Sequence, residues 1–81
     1  IIENSKIKNV NRFGVNKEHI SFTIYDTSGS INCKKFNVSN NPLNKVFKNY
    51  LNKEFNFLGF LKIDKWKNRN KPEFHLLDII T

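Results

Sequence analysis

HISFTIYDTSGSINCKKF, residues 19–36, carries the pattern of two adjacent strands joined by a tight turn. Ile20, Phe22 and Ile24 alternate with Ser21, Thr23 and Tyr25, the period of two that gives a strand one apolar and one polar face. The Asp, Ser and Gly of DTSGS, residues 26–30, have the chemistry of a tight connection, and INCKKF returns as an antiparallel partner. Lys34 and Lys35 fall on opposite faces of a regular strand, so one of the two shares the face of Thr23 and Tyr25. Cys33, on the parity of Ile31, is expected to pack inside, and Phe36 is expected in the core.

Upstream of this hairpin, residues 1–12 carry Ile7 and Val10 among polar side chains and read as a strand. FGVNKE, residues 13–18, follows as a loop, since Gly14 and Asn16 tolerate positive φ. Downstream, Leu43, Val46, Phe47, Tyr50 and Leu51 recur at helical spacing and predict a short helix that packs this stripe into the core. EFNFLGFLKI, residues 54–63, is apolar on both alternating faces, as in a strand covered on both sides or one whose second face meets a partner. Gly59 within it predicts a bulge or bend. After a basic turn, PEFHLLDII, residues 72–80, is the last strand.

The order is therefore β-β-β-α-β-β. Closing five strands into a barrel removes the exposed edges, and a helix between the third and fourth can plug one end. That is the OB-fold arrangement, expected here as a single domain over residues 1–81. Its ligand surface is the face of strands two and three, flanked by the loop between strands one and two and the loop between four and five. Because the sequence opens on Ile1 without methionine and its last residues still read as strand, it is expected to be a fragment of a longer chain.

A formal charge of +7, a pI near 9.8 and 14% aromatic residues fit a polyanionic partner, because cations that neutralise phosphates release condensed counterions. A merely basic surface fits as well, since Lys, Asn, Ile and Phe share AT-rich codons. The single cysteine can form no intramolecular disulfide and has no metal-ligand companions, which suits a reducing, cytoplasmic setting. No apolar run approaches the roughly 20 residues needed to cross a bilayer, so no membrane partner is expected.

The cation-flanked tryptophan of IDKWKNRNKPEF, residues 63–74, is the leading candidate for nucleic-acid contact. An aromatic ring among cations can stack on a base while the cations hold adjacent phosphates. Alternation from Phe60, Lys62 and Asp64 puts Trp66 off the face of Phe57, Leu61 and Ile63, although a tryptophan can also cover a barrel rim. Lys67, Arg69 and Lys71 belong to the same turn, and Tyr25 with Lys34 or Lys35 to the face of strands two and three. Arg12, Phe13 and Lys17 surround the first loop and could clamp a strand from the opposite side. Tyr25 capping the barrel end, and Arg12 and Lys17 as plain solvated groups, are the competing structural readings. Catalysis finds no support: Asp26, Asp64 and Asp78 lack a helper at diagnostic spacing, and His19 and His75 fit no metal or general-base pattern. No catalytic residue, metal ligand or cofactor is expected within these residues.

KEHISFTIYDTSGSINCKKFN, residues 17–37, resembles the strand, acidic turn and Phe-ending return strand in the C-terminal OB domain of the RecJ family of single-stranded-DNA-specific exonucleases. FNFLGFLKIDKWKNRNKPEFHLLDII, residues 55–80, resembles the next hairpin of that domain, with its turn aromatic and closing Asp-Ile strand. By position, His19 and Ile20 match the family's His-Leu pair, Phe36 the strand-ending aromatic, Trp66 the turn aromatic, and Asp78 with Ile79 the closing pair. The family's turn usually holds a glycine, where this chain has Asn68, Arg69 and Asn70. The resemblance implies a bacterial, cytoplasmic parent hydrolase of DNA repair and recombination, degrading single-stranded DNA from the 5′ end. It also implies a manganese- or magnesium-dependent core of the Asp-His-His type, none of which lies here. The implied partners are single-stranded DNA and the parent's own catalytic domains, with the fragment itself a monomer.

Two other classes compete. A protein-docking module would leave Phe60 and Leu58 exposed without a continuous basic groove, and an RNA-binding OB domain would prefer RNA in competition with DNA.

Overall fold

The computed structural model describes residues 1–39, 41–64 and 71–80. Five strands, β1 (Ile2–Phe13), β2 (His19–Asp26), β3 (Gly29–Lys35), β4 (Phe55–Asp64) and β5 (Lys71–Ile80), form a closed barrel in the order β1-β2-β3-β5-β4. All neighbours are antiparallel except β3 and β5, which pair in parallel at Cys33 and Lys34. A short helix, α1 (Asn44–Lys48), stands between β3 and β4. This is the OB-fold expected from the strand order.

The hairpin that anchors the sequence reading forms in register, with Ile24 opposite Ile31 and Phe22 opposite Cys33. Its turn is held by the Asp26 carboxylate, whose Oδ1 accepts from the Ser28 amide (2.7 Å), the Ser28 hydroxyl (2.6 Å) and the Gly29 amide (3.2 Å). Hydrogen bonds to the charged form, led by the Ser28 hydroxyl, lower the Asp26 pKa.

Closure depends on β1, which must pair with β2 along one part of its length and with β4 along another. Its register shifts between Ile2 and Ser5 and again between Lys8 and Asn11. Asn4 (φ 51°) and Asn9 (φ 56°) lie at these two points in the left-handed region. Asparagine enters that region more readily than other residues with a side chain, because its short amide bonds locally to the backbone. Asn56 accepts the Asn4 amide at 2.9 Å, and Asn11 donates to the Asn9 carbonyl at 3.2 Å. The asparagine content thus has a conformational use as well as a codon-usage explanation.

Gly59 marks a third shift, between β4 and β5. A Cβ there would fall on the His75 carbonyl oxygen and 2.6 Å from Phe74 Cζ, so the close approach of the two strands requires glycine.

Inside the barrel, Ile7, Ile20, Phe22, Ile24, Cys33, Phe57, Phe74 and Leu76 are buried together. Cys33 takes the interior place expected of it, and burial pushes its thiol up to about 12. Val38, Leu43 and Phe47 close one end, with Phe47 packed on Phe22 at 4.9 Å between ring centroids.

Two core expectations need correction. Leu51 is 72% exposed, because α1 stops at Lys48 and the chain turns away through Asn52 at φ 60°. Phe36 is 44% exposed, because it follows the outward parity of Asn32 and Lys34 and not that of Cys33, and the chain leaves the barrel at Asn37, φ 58°.

Candidate nucleic-acid interface

Five rings meet on the outside of the barrel. Phe13 lies opposite His19 across β1 and β2, with centroids 5.2 Å apart. Phe36 receives both edge-on, His19 at 5.0 Å and Phe13 at 5.9 Å. His75 on β5 follows, 6.0 Å from Phe36, and stacks on Phe60 of β4 at 5.3 Å with 24° between planes. The row therefore crosses from β1 to β4 by way of β2, the end of β3, and β5. Edge-to-face packing holds Phe36 while leaving it exposed, and Phe60, with one face on His75, is 50% exposed. Polar contacts set the two imidazoles: His19 Nδ1 accepts the Asn37 amide at 3.0 Å, and His75 Nε2 lies 3.0 Å from Glu73 Oε1. Glu18 Oε1 lies 3.2 Å from His19 Nε2, and the backbone amides of Glu18 and Asn16 lower its carboxyl pKa.

The register answers which lysine shares the β2 face. Lys34 pairs with Ser21 and so stands with Thr23 and Tyr25, whereas Lys35 pairs with the buried Ile20 and is half-buried near the barrel end. Lys34 Nζ is 3.2 Å from Glu73 Oε2. Tyr25 is half-buried, with Lys8 Nζ 4.8 Å above its ring. At about 3.3 Å per residue, Tyr25 lies roughly 20 Å along β2 from His19. Between them is a groove of ≈ 360 Å³, lined mainly by Asn9, Asn11, Ser21, Thr23, Asn32 and the Lys34–Glu73 pair.

The remaining candidates are dispersed. Phe13 joins the ring row. Arg12 is exposed but donates to Asn44 Oδ1 at 3.0 Å, tying β1 to the start of α1. Lys17 is exposed in the first loop at φ 56°, and Lys71 is exposed where β5 begins. Trp66, Lys67 and Arg69 lie outside the described residues. The structure thus brings Tyr25 and Lys34 onto one face with Phe13 at its end, and sets Arg12 apart from them.

Sequence reasoning missed Phe36, Phe60, His19 and His75 as one surface, and Lys8 as the cation above Tyr25. For Lys8 a signal existed, its alternation opposite Ile7. For the ring row the signal was partial: neighbouring strands pair Phe13 with His19 and Phe60 with His75, but joining the two halves takes the parallel β3–β5 contact.

Leu58, Leu77 and Ile80 are also exposed on β4 and β5. Among the described residues, no group of three or more His, Cys, Asp or Glu side chains is arranged to hold a metal, and no helix is long and apolar enough to cross a membrane.

A family model described as the RecJ OB domain matches residues 1–78. Over 78 residues the chain is 28% identical to the single-stranded-DNA-specific exonuclease RecJ of Bacillus subtilis (strain 168), a match that covers 96% of this chain and 9% of that protein. The chain therefore spans less than a tenth of the length of this curated relative. No solved structure matches it significantly.

Proposed function

The chain belongs to the RecJ OB domain family, and from that premise we propose that it grips single-stranded DNA for a RecJ-like 5′-to-3′ exonuclease acting in DNA repair and recombination. The observation that carries the reading is the row of five rings with Phe36 and Phe60 open to solvent. Every base has a π-face, so such a row holds successive bases with little regard to sequence. Phe36 and Phe60 are the platforms, while Phe13, His19 and His75 hold them in place. Lys8 and Tyr25 extend the contact along β2, with Lys17, Lys71, Lys67 and Arg69 as phosphate contacts and Trp66 as a further stacking ring. Hydrolysis belongs to a manganese- or magnesium-dependent core elsewhere in the parent, and the barrel contributes grip and direction.

The test is titration of the domain with labelled single-stranded DNA, single-stranded RNA and duplex DNA of equal length across a salt series. The reading expects the DNA single strand to bind best and its affinity to fall as salt rises. No binding at low salt contradicts it, and a preference for RNA favours the RNA-binding alternative.

The exposure of Leu58 (38%) together with Phe60 favours a second reading, in which the outer side of β4 and β5 docks against the parent's catalytic domains. Leu58→Glu separates the two. Docking predicts lost exonuclease activity in the parent with unchanged oligonucleotide affinity in the isolated domain; unchanged activity in the parent counts against docking.

A further inference from the structure

The groove between the ring row and the Lys8–Tyr25 contact differs in chemistry from both. We propose that it receives the hydrogen-bonding edge of one nucleobase, not a phosphate, and so makes the grip depend on base identity. The inference rests on the single-strand reading above.

Charge is the first argument. Among the described residues Lys34 is the one cation lining the groove, and its ammonium faces the Glu73 carboxylate at 3.2 Å. A phosphate entering here would meet that carboxylate, and repulsion between like charges offsets what the lysine offers. A neutral base edge meets no such opposition.

Donor chemistry is the second. Asn9, Asn11 and Asn32 bring amides, neutral groups with donor and acceptor atoms that suit the polar edge of a base. Ser21 and Thr23 add hydroxyls. Surfaces built for phosphate use uncompensated Lys and Arg instead.

Geometry is the third. The bulge at Asn9 interrupts the pairing of β1 with β2 between Lys8 and Asn11, which opens the groove at that point. Asn11 is braced on the Asn9 carbonyl at 3.2 Å. Thr23, only 8% exposed, has its hydroxyl 3.4 Å from Asn32 Oδ1. That contact occupies the Asn32 oxygen and leaves its Nδ2 donor without a partner among the described residues. An amide whose oxygen is already engaged offers a base edge a donor, and so favours edges that present an acceptor.

The test compares dA, dC and dT homopolymers of one length on the wild-type domain, Asn32→Ala, Asn11→Ala and Phe36→Ala. The proposal expects the affinity ratios among homopolymers to shrink in the two asparagine variants, by up to about tenfold for a lost hydrogen bond to a base edge, with the salt dependence unchanged. Phe36→Ala instead weakens all three together. Unchanged ratios in both asparagine variants overturn the inference and leave the single-strand reading standing. So does a shallower salt slope, which would mean that the groove holds a phosphate. Failure of every homopolymer to bind at low salt overturns both.

Discussion

Lys34 on β3 and Glu73 on β5 form a 3.2 Å ion pair across the parallel junction that closes the barrel. Both groups retain some solvent contact, and pairs of that kind add at most about 1 kcal/mol to stability. The consequence for a polyanion is larger, since the carboxylate cancels the lysine where a phosphate would approach. Glu73→Gln is therefore expected to tighten single-strand binding and to steepen the slope of log K against log salt by about 0.7, the increment for one added phosphate contact. Lys34→Gln in the native background leaves the slope nearly unchanged. Salt-series titrations of the two variants check this, and an unaltered slope in Glu73→Gln contradicts it.

Gly59→Ala is expected to destabilise the domain by about 1–3 kcal/mol, the usual range for forcing atoms into a packed site. The added methyl meets the Phe74 ring and the His75 backbone, and only the ring can move aside. For a domain of this size each kcal/mol lowers Tm by roughly 4–8 °C, so thermal unfolding gives a direct reading.

Asn9 is a test of the bulge. Asn9→Gly is expected to preserve stability within about 1 kcal/mol, because glycine enters the left-handed region freely. Asn9→Val places a β-branched residue at φ 56° and is expected to lose at least about 1–2 kcal/mol. Urea unfolding of the two variants should therefore separate them, and equal stability would show that the bulge relaxes at no cost.

The Asp26 turn predicts an acid dependence. Its pKa is lowered in the folded chain, chiefly by the Ser28 hydroxyl, so its contribution is present above the unfolded carboxylate's pKa. That contribution is lost as the pH falls through the lower folded value. Asp26→Ala should flatten the acid limb of the stability profile and leave its shape near neutrality unaltered, as measured by thermal melts across pH.

Much of the barrel was legible because its signals are local. Alternation around Phe22 set the hairpin, and Gly59 announced the bend that its contact with Phe74 now explains. Leu51 was misleading because helical spacing continues past Lys48 although the helix does not. Phe36 is apolar but has the outward parity of Lys34 and not that of Cys33, so alternation, more than side-chain type, indicates its place. The choice between Lys34 and Lys35 needed the register, and the meeting of Phe36 with His75 needed the parallel β3–β5 junction. Neither is encoded within one stretch of sequence.

Paired titrations of labelled single-stranded DNA probe the ring row itself: wild type against Phe36→Ala and Phe60→Ala, with thermal melts to show that both variants fold. Both rings are already partly exposed, so their truncation should cost little stability while removing a stacking platform worth about 1–3 kcal/mol per base. The account predicts that each variant binds about 5- to 150-fold more weakly with an unchanged salt slope. Folded variants that bind as tightly as wild type would contradict it.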